Sequence, residues 1–337
     1  MSRLYRSGVV IGKFCPPHRG HSFLIDAALR QAEHVTVIVC ARDGQSIAGE
    51  RRAAWLRELH PHVTVMVIED VYPPDDSALW ARKTLEWLGF VPDAVFTSEE
   101  YGPRYAAELG AVHVAVDPGR KTIPCSASAI RADPLSNWDF LEPCVRAHYA
   151  FRVAVVGAES TGTTTLAQDL AENYVTAWVP EYGREYSEQF KFREGATWRT
   201  EDFVDIAREQ CRREDELAQA CQGVLVCDTD ALATAIWHER YMGFPSPEVN
   251  EIARSRSCQL YLVTDVSIPF VQDGFRDGEH LRGWMQERLI EELERLNRPF
   301  AIVSGPPQER LAASVKLIDE LLTSRIAAPR VSDDGFA

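Results

Sequence analysis

Twice along this 337-residue chain, an apolar β-branched run passes through a glycine-bearing turn straight into a helix-like segment. The first run is residues 9–14, followed by Cys15-Pro16-Pro17-His18-Arg19-Gly20-His21. The second is residues 153–156, followed by Gly157-Ala158-Glu159-Ser160-Thr161-Gly162-Thr163-Thr164. A strand that feeds a helix so directly belongs to a parallel sheet, where each strand needs a crossover before its neighbour. Such a turn also aims unpaired helix amides at the carboxyl end of the strand, where anions bind. The pattern therefore constrains both fold and chemistry.

Around these turns the same alternation fills the chain. Strand-like runs fall at residues 9–14, 35–40, 63–68, 94–97 and 112–116, with helix-like stretches such as 21–33 and 48–59 between them. A Trp-bearing helical segment at 137–150 follows, and strands resume at 153–157, 224–228, 259–264 and 300–304. The reading is α/β, with two doubly wound parallel-sheet domains at 1–150 and 151–326 and a frayed tail at 327–337. A length of 337 residues agrees with two domains of roughly 150 residues each. No Gly/Ser-rich linker separates the halves, so a packed or helix-joined pair is expected.

Composition removes several classes of function. No run of 18 apolar residues is present, and MSRLYRSG leads into the first strand without a signal-peptide core, which predicts no membrane span and no export. The eight cysteines form no C-x-x-C pair, which speaks against a zinc site or disulfide framework and for a reducing cytoplasm. Residues 1–150 carry 16 Lys and Arg against 18 Asp and Glu, and the remainder 20 against 32. Neither half has the basic surplus of a nucleic-acid binder, so any phosphate site is a local pocket for a small nucleotide.

In the first half, Gly20 allows close approach of backbone to phosphate, and His18 and His21 add donors at the same helix mouth. Attack of one phosphate on the α-phosphate of ATP needs positioning and charge neutralisation, with no protein nucleophile. Alone, H-x-G-H is also compatible with a polar surface turn. The stretch Ser126-Ala127-Ser128-Ala129-Ile130-Arg131 shifts the balance. Ser126 or Ser128 can cap a helix there, and Arg131 then lies one turn in, within reach of a triphosphate.

In the second half, residues 157–164 read G-x-x-x-x-G-x-T in the strand–loop–helix setting of a phosphate-binding loop. Its amides form an anion nest, continued by Thr165, and Thr164 can place a hydroxyl on Mg²⁺. The usual lysine is absent, with Thr163 in its place. Downstream, Val224-Leu225-Val226-Cys227-Asp228-Thr229-Asp230 is an apolar strand ending in two acids, with Asp228 or Asp230 the candidate metal ligand. Trp178 precedes Glu181-Tyr182-Gly183-Arg184-Glu185-Tyr186, a stacking surface beside acids and an arginine. Asp273-Gly274-Phe275-Arg276-Asp277-Gly278 and Arg282 suggest a lid that brings arginines to phosphate. A buried strand end, an ion-paired helix and a polar loop are the plain alternatives.

Residues 12–21 resemble the H-x-G-H signature of the nucleotidyltransferase superfamily, and residues 126–131 resemble its I-S-x-T-x-x-R motif, with Cys125 for Ile and Ser128 for Thr. Phe96-Thr97-Ser98-Glu99-Glu100-Tyr101-Gly102 and Val116-Asp117-Pro118 look like nicotinamide mononucleotide adenylyltransferases of the NadR type. The second half, with its P-loop, Trp178, Glu-Tyr-Gly-Arg-Glu and Asp-Thr-Asp, is similar to the ribosylnicotinamide kinase half of the same family. The resemblance spans roughly residues 8–325 and implies a Rossmann-like nucleotidyltransferase followed by a P-loop kinase. It implies ATP and Mg²⁺ as cofactors, and nicotinamide riboside and its mononucleotide as substrates. By that resemblance Lys13, His18, His21 and Arg131 hold ATP phosphates beside Gly12 and Phe14, with Arg52 and Trp55 on the mononucleotide side. Some family members carry an N-terminal helix-turn-helix module. This sequence begins at the first strand, so no DNA partner is expected.

Two other readings remain open on the residues alone. One is an adenylyltransferase for a different small phosphorylated substrate, such as pantetheine phosphate, fused to a generic nucleoside kinase. The other is a sensor whose lysine-less loop binds nucleotide without chemistry. The sequence leaves the oligomeric state open, a homo-oligomer included.

Overall fold

The computed structural model describes residues 3–190, 197–271 and 278–327. The chain divides into two compact units, one reaching Val145 and the other Arg146–Ala327. In each, short hydrophobic strands buried on both faces alternate with amphipathic helices, which leaves a parallel sheet as the way to cover them.

The first unit runs β1 (Tyr5–Gly12), α1 (Arg19–Gln31), β2 (Ala32–Ala41), α2 (Gly49–Leu59), β3 (Thr64–Glu69), α3 (Ser77–Leu88), β4 (Ala94–Thr97), α4 (Gly102–Leu109), β5 (Val112–Ala115) and α5 (Ala127–Ala132), and the division between the units falls within α6 (Pro143–Tyr149). Its five strands are parallel in the order β3-β2-β1-β4-β5, with Gly12 opposite Val39 and Gly8 opposite Ala94. Val9 and Val10 on β1, and Val37 and Ile38 on β2, are fully buried, one residue of each pair on either face. Strand order reverses at β1, so the crevice between β1 and β4 opens where residues 12–21 leave the sheet.

The second unit runs β6 (Phe151–Gly157), α7 (Thr163–Asn173), β7 (Trp178–Val179), α8 (Tyr182–Phe190), α9 (Thr200–Ala220), β8 (Val224–Asp228), α10 (Ala231–Met242), α11 (Pro247–Ser255), β9 (Leu260–Thr264), α12 (Arg282–Arg295), β10 (Phe300–Val303) and α13 (Pro307–Ala327). Its order is β10-β9-β6-β8-β7, again parallel, with β6 between β8 and β9. Both sheets match the expected α/β architecture. β7 is the strand that the sequence does not announce. It is two residues long, and Trp178 and Val179 pair with Val226 and Cys227.

All eight cysteines are free and buried. No helix among the described residues is long and apolar enough to cross a membrane.

Candidate active sites

At the mouth of the first unit, His18 is the N-cap of α1, and its Nδ1 accepts the Gly20 amide at 3.1 Å. A Cβ on Gly20 would lie 2.9 Å from the His18 ring, so this close turn requires glycine. The His18 and His21 imidazoles stack with centroids 3.7 Å apart, and Phe14 meets His21 edge-on at 4.9 Å. Burial lowers the His18 pKa to about 3, with the Arg120 charge adding to it. His21 is held well below its ordinary value by burial, then by His18 and Arg120. Both rings are therefore neutral at pH 7. With His18 Nδ1 occupied as an acceptor, its proton resides on Nε2.

Arg131 donates to the Cys15 carbonyl and to Ser128 Oγ at 3.4 Å, and Ser126 caps α5 through the Ala129 amide. These elements bring residues 15, 18, 20, 126, 128 and 131 to one end of the sheet. Two side chains that the motif reading overlooks also belong there. Cys125 Sγ lies 3.3 Å from His18 Nδ1, and the Arg120 charge reaches both imidazoles. Arg120 sits on a loop folded around Asp117, whose carboxylate accepts the amides of Lys121, Thr122 and Ile123. The Asp117-Pro118-Gly119 turn was the available signal for it.

Arg52 and Trp55 do not meet the expectation of substrate contact. Arg52 is fully buried and donates to the carbonyls of Lys13 and Cys40 and to Gln45 Oε1, which fixes the turn that follows β1, Gly12 and Lys13. Trp55 is buried on the core side of α2.

The second unit contains a cavity of about 330 Å³ at the carboxyl end of β6. One wall is the loop from Gly157 through Ser160 and on through Gly162 to Thr165, with Thr161 buried beneath it. Thr161 Oγ1 bonds the Ala158 carbonyl at 2.7 Å and Thr264 Oγ1 at 2.6 Å, which leaves Gly157 no room for a Cβ. Ser160 and Gly162 take positive φ, as an anion nest requires.

Asp228 lies at the floor, almost wholly buried. Burial raises its pKa to about 6 against the hydroxyls of Thr164 and Thr163 and the charge of Arg184. Its Oδ1 is buried without a hydrogen-bond partner among the described residues. A hard divalent cation satisfies such an orphaned oxygen, with the Thr164 hydroxyl beside it. No cluster of three His, Cys, Asp or Glu side chains suited to a metal occurs among the described residues. One acid, a hydroxyl and nucleotide phosphates make the Mg²⁺ arrangement that fits.

Glu181 and Arg184 line the same cavity, and so do Trp198, Phe203, Trp237 and Tyr241. That aromatic wall replaces the one anticipated at Trp178. Trp178 is instead partly buried and packs against the core cluster that includes Leu166, Leu170 and Val226. Tyr182 also departs from expectation. Its ring lies under Arg213 at 4.4 Å and its amide bonds Gln210, so it serves the α8–α9 packing.

Asp230 is a helix cap and not a metal ligand. Its Oδ1 accepts the Leu232 and Ala233 amides at 3.0 Å each, and its Oδ2 accepts the Tyr261 hydroxyl at 2.7 Å. Arg282 is no exposed lid cation. It is buried at the start of α12, donating to the carbonyl of Ile268 at 2.7 Å and that of Ser160 at 3.5 Å. Arg276 lies outside the described residues.

Against known proteins, a family model described as an AAA domain matches residues 152–310. The trifunctional NAD biosynthesis/regulator protein NadR of Escherichia coli (strain K12) is 28% identical over 340 residues, covering 94% of this chain and 83% of the relative. The NadR protein of Salmonella typhimurium matches with the same identity and coverage. The chain is NadR-like over nearly its whole length. Among solved structures, a NadR protein in complex with NAD and AMP-PNP superposes with a TM-score of 0.73 at 22% identity, covering 98% of this chain and all of that one. A NadR protein in complex with NR gives 0.77 at 23%, with the same coverage. The NadR-like fold therefore includes both units.

Proposed function

We propose that this chain phosphorylates nicotinamide riboside to its mononucleotide in the second unit and adenylylates that mononucleotide to NAD in the first. The arrangement that carries this reading is one chain with two separate anion mouths. One is crowned by two neutral histidines, and the other faces an aromatic cavity. The names and ligands of the NadR relatives supply the pyridine-nucleotide chemistry.

In the first unit, the mononucleotide phosphate attacks the α-phosphorus of ATP, and pyrophosphate departs with the bonding electrons. His18 Nε2–H, the α1 amides and Arg131 face the charge that spreads over the phosphoryl oxygens. His21 presents a second neutral imidazole to the same oxygens. Neutral donors suit this step because they hold phosphate without trapping it.

In the second unit, the 5′-hydroxyl of the riboside attacks the γ-phosphorus of ATP and ADP leaves. In this reading Glu181, on the cavity wall, takes the hydroxyl proton. The loop amides hold the phosphates, and the Trp198 and Phe203 rings of the wall offer π-faces to a pyridinium cation. Asp228 Oδ1 and the Thr164 hydroxyl would hold Mg²⁺, which would neutralise part of the phosphate charge. A volume of about 330 Å³ lies within the range of small-ligand pockets.

Incubation of the protein with nicotinamide riboside, ATP and Mg²⁺, followed by chromatography, tests both steps. Mononucleotide and NAD are the expected products. A second reading is favoured by Thr163, which stands where a lysine is the rule: a nucleotide sensor fused to an adenylyltransferase. NAD formed from supplied mononucleotide but never from riboside would select it.

A further inference from the structure

A phosphate-binding loop without its lysine must obtain cationic charge elsewhere if the β- and γ-phosphates are to be held for transfer. Several arginines border the loop. Arg282 and Arg310 are buried, but their guanidinium groups donate to main-chain carbonyls, those of Ile268 and Ser160 for Arg282 and that of Thr161 for Arg310. Arg184 lines the cavity, yet its side chain is 50% exposed and bonds Glu188 at 3.2 Å, so solvent screens it.

Arg240 is different. It projects from α10 with its side chain 4% exposed, and its Nη1 donates at 2.7 Å to Oε1 of Glu159 in the phosphate loop. Its guanidinium carbon lies 4.9 Å from the Trp237 ring centroid and 4.7 Å from that of Tyr241. Both rings line the cavity, as Glu159 does. The second Glu159 oxygen accepts the Gly278 amide at 2.9 Å.

A carboxylate within a phosphate loop opposes a triphosphate, unless it carries a cation to the site. We infer that Arg240, tethered to the loop through Glu159, supplies the nucleotide phosphates with the charge that a P-loop lysine would provide. Phosphate oxygens displace the Glu159 carboxylate from the guanidinium, which exchanges one charge-assisted bond for another. Stacking on two rings keeps the planar group oriented during that exchange, and Glu159 retains the Gly278 amide. Arg240 forms and breaks no covalent bond. Its role is to neutralise charge on the group being transferred. The inference rests on the kinase reading only for the identity of the acceptor.

The test uses the full-length protein with NAD in excess to occupy the first unit. Binding of AMP-PNP with Mg²⁺ is followed by calorimetry, and riboside phosphorylation is assayed separately. Arg240→Gln should weaken AMP-PNP about tenfold and lower kcat for riboside about a hundredfold, with adenylyl transfer unchanged. Thr163→Lys in that background should recover about tenfold in kcat, because it returns the missing cation. Glu159→Gln leaves Arg240 in place without its tether and should tighten AMP-PNP about threefold.

Wild-type behaviour of Arg240→Gln would overturn the inference. So would a loss that Thr163→Lys does not repair, which marks a structural strut. If Arg240→Gln does not fold, Glu159→Gln decides, with weaker AMP-PNP binding counting against. Arg240-dependent nucleotide binding without riboside phosphorylation would sink the proposed kinase activity and leave this inference standing.

Discussion

The imidazoles of His18 and His21 stack 3.7 Å apart, and their chemistry follows from burial. With His18 near 3 and His21 well below its ordinary value, neither ring ionises in the physiological range. The pH–rate profile of adenylyl transfer should therefore show no histidine step above about pH 5. An inflection near 6.5 that vanishes in His18→Asn would contradict this. His21→Ala should cut the rate by on the order of a hundredfold while the fold persists. Stability carries the same signature with a definite sign. Unfolded, His18 titrates near 6.5; folded, near 3. Its contribution is complete above about 6.5 and drains away as pH falls towards 3, since the unfolded chain then binds more protons. Thermal melts at stepwise lower pH read this directly, and His18→Asn should flatten the slope.

At the scale of elements, α9 and α10 decide how the second unit works. Glu214 is buried on α9, and its carboxyl is raised to about 8, by burial first and then by the charge of Asp230. A carboxyl raised on folding stabilises least when ionised, so stability should decline between pH 4.5 and about 8. Glu214→Gln keeps the shape without the titration and should melt higher than the parent at pH 9. A lower melting temperature there would show that the Arg152 contact at 3.7 Å outweighs desolvation. In the aromatic wall, Trp198→Ala should raise KM for the riboside more than it lowers the melting temperature. Trp178→Ala should do the reverse, lowering the melting temperature by stripping a partly buried ring from the core while KM for the riboside stays unchanged.

That contrast marks what was legible in the sequence. Parallel strands buried on both faces advertise themselves as apolar runs, and the glycine turns mark where anions bind. The aromatic wall of the cavity did not show, because α10 is buried almost all round and its apolar pattern singles out no face. Trp198, the other large ring of that wall, arrives from outside any helix or strand. Asp228 and Asp230 looked equivalent until the backbone turned between them. Thr229 takes a left-handed φ of 75°, which sends Asp230 to the start of α10 and leaves Asp228 in the cavity.

For the whole molecule, the proposed function puts its two reactions at mouths on two different sheets, which predicts that each reaction can be removed without the other. Net charge sharpens this, because the portion beyond residue 150 carries 20 basic against 32 acidic residues. An anionic product leaves such a surface readily, since long-range repulsion opposes its return. Asp228→Asn should abolish riboside phosphorylation while sparing adenylyl transfer from supplied mononucleotide. His21→Ala should do the opposite and accumulate mononucleotide. Mixing the two variants should then restore NAD formation from riboside, since each retains the half that the other lacks. The restored rate should rise with the concentration of the His21→Ala protein and show a lag while mononucleotide builds up. Added nicotinamide mononucleotide should abolish that lag. If the mixture stays inactive although each variant performs its own remaining step, the mononucleotide does not pass through solution, and the two mouths work only within one chain.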